Sequence, residues 1–258
     1  MITPKRSGKS TLLKVASILL TTIPLFSAQA DAATREVDCD KGQSLEAAVM
    51  KGQGSAEHLY IDVSGYCDER VTIERDDVSI AGDNGATVQG FNIEGARRIT
   101  LNGITVTGPE TGIMMSSADV KLENVLVTGN GEDGILSRFN STLRVSNSNI
   151  TNNGVNGIGS LGGTLDISEN STISGNANHG IDADLHCSVM ISDTAIMNND
   201  VFGIQLGADS GLLAFGGLTV SGNEEAGVFC GDTESSYLNH GEPIDDSVEC
   251  TDFNQVAP

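Results

Sequence analysis

The sequence has 258 residues, of which 31 are glycine, 4% are aromatic and none is tryptophan. A core built from it must therefore consist of aliphatic and small side chains. Thirty-five acidic against fourteen basic residues give a net charge of −21, which argues against binding to nucleic acid or to anionic membranes.

Residues 1–30 have the composition of a removable secretory signal peptide. A basic start is followed by an apolar run and then by Ala28 and Ala30, which satisfy a small-x-small cleavage rule. The apolar run is too short for a stable transmembrane helix. The sequence therefore predicts a secreted or periplasmic bacterial protein that is cleaved near Ala30 and has no membrane span.

Residues 31–70 are predicted to form an N-terminal cap with one short helix. The segment QSLEAAVM offers Ser44 as the N-cap and places Glu46 in the first turn, where the helix dipole favours an acid. Cys39 and Cys67 flank this helix, one on each side. A disulfide between them would tie the helix to the start of the fold.

Export makes disulfides possible for the five cysteines. The pairs Cys39–Cys67 and Cys230–Cys250 would close the two ends of the chain, where a stacked fold frays most easily. Sequence alone does not decide this connectivity. Cys187 is then left over, and we expect it to be an unpaired buried thiol.

One phrase recurs between Ile113 and Gly227, in the forms VTGNGEDGI, ITNNGVNGI, ISGNANHGI, IMNNDVFGI and VSGNEEAGV. The asparagine of each phrase recurs every 23 or 24 residues, at Asn130, Asn153, Asn176, Asn199 and Asn223. A repeat of this length is typical of a solenoid.

Each repeat contains three runs of alternating apolar residues separated by Gly, Asn and Asp, which predicts three short strands and three turns. Such strands bury their inward side chains only by coiling and stacking on the next repeat, with strands about 4.8 Å apart. We therefore predict an all-β fold, a right-handed single-stranded parallel β-helix, over residues 71–236. Residues 237–258 are predicted to close it as a C-terminal cap or tail.

The pattern VxLxxxxVTGNxxxGI and the opening VDCDKGQSLEAAV and IDVSGYCDERVTIERDDVSIAG resemble the Pectin lyase-like superfamily and its generic parallel β-helix repeat. The resemblance covers nearly the whole mature chain and implies the β-helix fold. It also implies contact with a polysaccharide or cell-surface glycan, since pectate lyases, polygalacturonases, alginate epimerases and phage spikes share this coil. Lyases of the superfamily often place Ca²⁺ between protein and uronate, so Ca²⁺ is the one cofactor that the resemblance suggests.

The five recurring asparagines are predicted to be structural. Asn tolerates the left-handed backbone of a tight turn, and its amide can hydrogen-bond to the Asn of the coils above and below. The Gly before each Ile or Val is expected to permit a sharp turn into the next strand.

Chemistry is expected at the outward positions that follow each Gly-Ile step. If the Ile points inward, the first and third residues after it point outward, and the coil NHGIDADLH then presents several ionisable groups. These candidate catalytic residues are His179, Asp182, Asp184 and, if the strand continues, His186. Two carboxylates two residues apart on a strand have Cα atoms about 6.6 Å apart, from which the carboxyl separations of glycosidases are within reach.

Neighbouring coils contribute three candidate substrate-binding residues, Arg138, Gln205 and Asp209. Asp209 could orient His186 as an acid/base pair, and Arg138 could neutralise a substrate carboxylate. Alternatively, Asp182 and Asp184, with Asp209, offer oxygen ligands suited to Ca²⁺. A chance cluster of surface acids is the competing interpretation in so acidic a chain. A second candidate surface is an apolar groove formed by Met114, Leu136, Leu161 and Phe229.

Two functions follow from these residues. The first is a carbohydrate-active protein that binds or processes a polysaccharide, as a lyase, hydrolase or epimerase, around Asp182 and Asp184. The second is a non-catalytic extracellular scaffold or adhesin-like protein that binds glycan or protein along its stacked face. A Ca²⁺-stabilised surface protein is a third interpretation. The sequence leaves the glycan, the bond and the oligomeric state open.

Overall fold

A computed structural model describes residues 33–51, 57–239, 244 and 246–250. The predicted signal peptide and the last eight residues of the predicted C-terminal segment lie outside these described residues. The described residues form one helix, α1 (Leu45–Met50), which follows a 3-10 turn at Cys39–Lys41.

The strands number twenty among the described residues. They are β1 (Ala33–Asp38), β2 (Leu59–Ile73), β3 (Val78–Glu94), β4 (Ile99–Asn102), β5 (Thr105–Val106), β6 (Ile113–Ser116), β7 (Asp119–Glu123), β8 (Leu126–Thr128), β9 (Ile135–Ser146), β10 (Asn149–Thr151), β11 (Ile158–Ser168), β12 (Ser171–Ser174), β13 (Ile181–Ile191), β14 (Thr194–Met197), β15 (Phe202–Leu206), β16 (Gly211–Ala214), β17 (Thr219–Ser221), β18 (Ala226–Cys230), β19 (Ser236–Asn239) and β20 (Val248–Glu249).

The strands coil into a parallel solenoid with three faces. Face 1 contains β1, β4, β7, β16 and β19 with residues 59–64 of β2, 78–83 of β3, 142–146 of β9, 163–168 of β11 and 187–191 of β13. Face 2 contains β5, β8, β10, β12, β14 and β17. Face 3 contains β6, β15, β18 and β20 with residues 135–138 of β9, 158–161 of β11 and 181–184 of β13. The predicted all-β parallel β-helix is therefore confirmed, and β9, β11 and β13 are longer than expected because each continues around the corner from face 3 to face 1.

Inward side chains form stacked columns that fill the coil. On face 3 the column Ile113, Ile135, Ile158, Ile181, Ile204 and Val228 is in register from coil to coil and fully buried. Burial of each such side chain contributes about 1.5–3 kcal/mol of hydrophobic free energy. Because this column is inward, the residues that alternate with it must face solvent, which fixes the outward columns of face 3.

The five repeated asparagines form a buried ladder between faces 2 and 3. Each Nδ2 donates to the Oδ1 of the next Asn at 2.9 Å, from Asn130 through Asn153, Asn176 and Asn199 to Asn223. The ladder begins where Gly108 N donates to Asn130 Oδ1 and ends where Asn223 Nδ2 donates to Asp246 Oδ2. The predicted hydrogen bonds between coils are present.

The expectation that these asparagines adopt left-handed backbone is wrong. The left-handed residue is the one immediately before each of them, at Gly129, Asn152, Gly175, Asn198 and Gly222. The bend is thus made one residue earlier. The ladder Asn can then point its amide inward between the coils.

The glycine before each inward Ile also has a reason other than the predicted one. Gly180 does not have a left-handed φ. A Cβ on Gly180 would instead lie 2.6 Å from Gly203 O and 2.8 Å from Asn199 Nδ2. A side chain is excluded here because the backbone of the next coil and the Asn ladder already occupy the space.

The ends of the coil are closed by the two expected disulfides, Cys39–Cys67 and Cys230–Cys250, and Cys187 is a free buried thiol. Burial raises the pKa of the Cys187 thiol, which donates to Ser160 Oγ at 3.2 Å. Two disulfides indicate an oxidising compartment.

At the N-terminal end, Ser44 caps α1 by accepting a hydrogen bond from Ala47 N. Glu46 accepts from Thr72 N at 2.5 Å, which ties the helix to β2. Strands β1 and β2 already pair in parallel, so residues that the sequence assigns to the cap contribute strands to the solenoid. No helix within the described residues is long and apolar enough to cross a membrane.

Candidate functional site

The outward residues of face 3 form two parallel columns. One column contains Met114, Leu136, Gly159, Asp182, Gln205 and Phe229, and the other contains Ser116, Arg138, Leu161 and Asp184. Asp182 and Asp184 therefore lie side by side on β13, both half-buried. Gln205 is one coil from Asp182, and Arg138 is two coils from Asp184, as the sequence predicted.

A third carboxylate, which sequence reasoning missed, lies beside this pair. Asp133 is in the turn before β9, and its Oδ2 lies 3.6 Å from the position that a Cβ would take on Gly159. Gly159 is the register partner of Asp182 on the next coil. Gly159 is itself buried, and the atom nearest to that Cβ position is Leu136 Cδ1 at 3.2 Å, so Leu136 and Asp133 fill the space that a side chain on Gly159 would take. We call Asp133, Asp182 and Asp184 the carboxylate cluster.

The surroundings of the carboxylate cluster disfavour the ionised form of its carboxyl groups. Partial burial raises the pKa of Asp182, and the negative charges of Asp184 and Asp133 raise it further. Burial likewise raises the pKa of Asp133, although hydrogen bonding from Asn156 and the charge of Arg138 oppose the increase. No described residue donates a hydrogen bond to the Asp182 carboxylate. A carboxyl group whose pKa is raised in this way is suited to general acid catalysis.

His179 does not lie on the exposed strip where the sequence placed it. Its side chain is only 8% exposed and stacks on Phe202, with ring centroids 5.1 Å apart. Phe202 in turn stacks on Phe229 at 4.5 Å. Burial lowers the pKa of His179 to about 4, so the ring is neutral at physiological pH. The strand alternation stops at Gly180, where the chain turns, and this is why the outward pattern does not extend back to His179.

His179 instead belongs to a column of turn residues that support the site. Asp133 Oδ1 accepts from Asn156 N at 3.0 Å, Asn156 Oδ1 from His179 N at 3.2 Å, and His179 Nδ1 from Phe202 N at 3.3 Å. Each side chain thus holds the backbone of the equivalent residue in the next coil. The column fixes the orientation of the Asp133 carboxylate.

His186 is also displaced from the strip, because the strand geometry ends after Asp184. Leu185 and His186 both have left-handed backbone, with φ of 59° and 61°, and form the corner between faces 3 and 1. At this corner His186 Nδ1 lies 3.4 Å from Asp209 Oδ2, which is the pairing that the sequence predicted. Both side chains are exposed.

Arg138 is the positively charged residue of the outward columns, two coils from Asp184. Its charge lowers the pKa of Asp133, and its buried Nε has no hydrogen-bond partner among the described residues. Arg138 also has no carboxylate oxygen within the distance of an ion pair in that part of the chain.

A complete metal cage is not found. Within residues 33–51, 57–239, 244 and 246–250, no group of three or more His, Cys, Asp or Glu side chains is arranged to hold a metal ion. Ca²⁺ at Asp182 and Asp184 stays a prediction.

Asp133 could have been identified from its position in the repeat. Asp133 stands two residues before Ile135, at the position that His179 takes two residues before Ile181. Listing the residue before each Gly-Ile step as its own column would have placed Asp133, Asn156 and His179 together. That Asp133 lies next to Gly159, the register partner of Asp182, can be seen only in the folded coils.

Comparison with known proteins gives one family and several similar folds. A family model described as "Right handed beta helix region" matches residues 89–241. A search of curated protein sequences finds no match.

Among solved structures, the periplasmic alginate epimerase AlgG is similar, with a TM-score of 0.55 and 16% identity over 77% of this chain and 53% of that chain. This chain therefore spans about half the length of the epimerase. The A-module of the Azotobacter vinelandii mannuronan C-5 epimerase matches with a TM-score of 0.32 and 13% identity, over 85% of this chain and 98% of the module. A tailspike protein of an Escherichia coli O157:H7 bacteriophage matches with a TM-score of 0.39 and 14% identity, over 71% of this chain and 37% of the tailspike. At these identities the likeness shows the fold alone.

Proposed function

Because this chain belongs to the right-handed β-helix family, we propose that it is an exported protein that binds and processes a polysaccharide on face 3, at the carboxylate cluster. The observation that carries the proposal is the pair of half-buried carboxyl groups, Asp133 and Asp182, on either side of the side-chain-free Gly159. The fold is shared with proteins whose names state action on polysaccharides, among them the alginate epimerase.

The chemistry divides between two residues of β13. Asp182 is the general acid, since burial and two neighbouring carboxylates raise its pKa and favour the protonated form that donates to a leaving oxygen. Asp184, two residues further on the same strand, supplies the carboxylate that activates water or stabilises developing positive charge. Asp133 contributes by holding the proton on Asp182, and its own orientation is fixed by Asn156.

A Ca²⁺ ion at Asp182 and Asp184 would be an addition to this site. Two aspartates provide too few oxygen ligands for the six to eight that Ca²⁺ prefers, so a bound glycan would have to complete the shell.

The alternative is a glycan-binding protein without turnover, an extracellular scaffold or adhesin. One observation favours it. The corners next to the carboxylate cluster contain only one or two residues, at Gly162 and at Leu185–His186, so no long loop encloses a substrate. Catalytic sites usually bury more of the ligand than such an open face can.

The test is a comparison of Asp182→Asn/Asp184→Asn with Asp166→Asn, a matched removal of a half-buried carboxylate on face 1. Released reducing ends or unsaturated sugars are measured over a panel of polysaccharides, together with binding by calorimetry. We expect turnover to fall at least about a hundredfold in the double variant, because general acid–base catalysis contributes on that order, and to be unchanged in the control.

Three outcomes separate the interpretations. Lost turnover without a fall in the melting temperature supports the enzyme. Binding that depends on the two aspartates without turnover by the wild type supports the glycan-binding alternative. Binding and turnover that survive in the double variant contradict the placement of the site.

A further inference from the structure

The corner between faces 3 and 1 is shorter in one coil than in the coils on either side of it. In β9, two residues, Phe139 and Asn140, form the corner between the part of the strand on face 3 and the part on face 1. In β13, the same corner is formed by two residues, Leu185 and His186. On the coil between them, β11 has a single residue, Gly162. The corner at Gly162 is therefore one residue shorter than its neighbours, and Gly162 is buried between them, with Leu185 O 3.1 Å from the position that its Cβ would take. We call Phe139, Gly162 and Leu185 the corner notch.

Two exposed apolar side chains belong to the corners on either side of the notch. Phe139 is 67% exposed and Leu185 is 53% exposed. They are two coil steps apart, which is about 9.6 Å between backbones. Allowing for the thickness of the side chains, this separation admits one flat ring about the size of a pyranose.

The backbone of both residues is strained. Phe139 and Leu185 have φ of 54° and 59°, a left-handed conformation that is unfavourable for bulky residues. Gly, Asn or Asp would satisfy the same corner more easily, as Asp209 does on the next coil. Neither residue stabilises the core, because both point away from it. Their large exposed apolar surface is therefore free to contact a ligand outside the coil.

The surroundings of the notch select its occupant by polarity and charge. Asn140 Oδ1 lies 3.7 Å from the Cβ position of Gly162, so a hydrogen-bonding amide borders the floor. Asp184 directly precedes Leu185, which makes the notch continuous with the carboxylate cluster. Arg138 and Arg144 are the only Lys or Arg residues between positions 135 and 209, and Arg144 pairs with Asp119 on face 1. A polyanion placed here would meet several carboxylates and one guanidinium.

We propose that the corner notch is a subsite for one pyranose ring of a glycan whose sugars carry free amines rather than carboxylates. This proposal rests on the proposed function, since the same chain of sugars would extend from the notch over the carboxylate cluster. The apolar face of the ring packs against Phe139, Asn140 binds a hydroxyl, and the ammonium groups face Asp184, Asp182 and Asp209. The carboxylates then receive the counter-charge that the protein itself does not provide.

The experiment measures binding of three matched probes to the full mature protein by calorimetry: glucosamine hexamer, its N-acetylated form and an oligouronate of equal length. We expect the glucosamine hexamer to bind most tightly, with an affinity that falls as salt is added, and the oligouronate to bind at least about tenfold more weakly. Phe139→Ala and Leu185→Ala should each weaken glucosamine binding by about five- to tenfold. Tyr66→Ala, which removes another exposed aromatic at the N-terminal end, should leave binding unchanged.

A second variant separates a binding role from a structural one. Phe139→Asn replaces a strained residue by one that accepts left-handed backbone, so the melting temperature should rise by about 2–4 °C while glucosamine binding weakens. If Phe139 had only a structural role, Phe139→Asn would not raise the melting temperature and weaken glucosamine binding at the same time.

Several results would overturn the proposal. An oligouronate that binds as tightly as the glucosamine hexamer rules out the amine-bearing class. A glycan that binds wild type and both notch variants equally removes the subsite while leaving the proposed function intact. Binding of no glycan by the wild type overturns both. A shift from dimer to monomer in Phe139→Ala, seen by sedimentation, would assign the notch to an interface between copies of the chain.

Discussion

The Asn ladder and the carboxylate cluster are two sets of polar side chains in the same coils, and they differ in how their charges and hydrogen bonds are satisfied. Within the ladder, Asn176 accepts two hydrogen bonds from Asn153 and donates to Ile150 O and Asn199. In the cluster, Asp182 receives no hydrogen bond from a described residue, and its near neighbours Asp133 and Asp184 carry like charge. The hydrogen bonds of the ladder are completed within the protein, whereas the carboxylate of Asp182 is left without a hydrogen-bond donor among the described residues.

The difference between the two regions suggests how to separate support from function in a solenoid. Columns that repeat the same residue with closed hydrogen bonds hold the coils together. Columns whose residues change from coil to coil, as Leu136, Gly159 and Asp182 do, contribute little to stacking. The irregular coils are therefore the place to look for chemistry.

The largest effect is expected from breaking the ladder. Asn176→Leu removes four hydrogen bonds and leaves buried groups of Asn153 and Asn199 unpaired, so the free energy of unfolding should fall by about 3–5 kcal/mol. Chemical denaturation measures it. The control Asn152→Gly changes an exposed left-handed Asn and should alter stability by less than about 1 kcal/mol. An Asn176→Leu protein as stable as the wild type would contradict the structural role of the ladder.

A smaller and opposite effect is expected in the carboxylate cluster. The pKa of Asp182 is raised in the folded protein, so folding favours its protonated form. The stability that this provides is present below the unfolded pKa of about 3.9 and is lost as the pH rises through the folded value. At pH 7 the ionised carboxylate is therefore destabilising.

Asp182→Asn should then be more stable than the wild type at pH 7, by no more than about 1 kcal/mol because solvent screens a half-buried group. The difference should vanish below about pH 3.5, where the wild-type carboxyl group is also neutral. Melting curves from pH 3 to pH 8 measure it. A variant that is less stable than the wild type at neutral pH would show that Asp182 has a stabilising partner, and the contrast with the ladder would be lost.

Much of the fold could be predicted from the sequence because the same pattern of strands and turns recurs in each repeat. The 23-residue period predicted the coil, the Asn column predicted the inter-coil hydrogen bonds, and the alternation after each Gly-Ile step placed Asp182 and Asp184 on one outward face. Local errors arose where the strand ends. His179 and His186 lie just outside the strand geometry, in a turn and at a corner, so the alternation was extended too far in both directions.

The rest of the site could not be predicted because it depends on an absent side chain, at Gly159, and on an absent residue, at the corner of Gly162. Asp133 and Asp182 are far apart in sequence and come together at Gly159, where the absence of a side chain makes room for Asp133 and Leu136. The corner notch likewise depends on one residue fewer in the coil of Gly162 than in its neighbours. A pattern search detects residues that are present, whereas these gaps appear only when the coils are stacked in register.

The central claim is that face 3 carries the ligand site, and a crystal structure of the protein soaked in amino, neutral and uronate oligosaccharides tests it most directly. We predict sugar density over Asp182 and Asp184 of the carboxylate cluster that continues towards Phe139 and Leu185. Ordered sugar found only on face 1 or face 2, or no ordered sugar at saturating concentrations, would contradict the account.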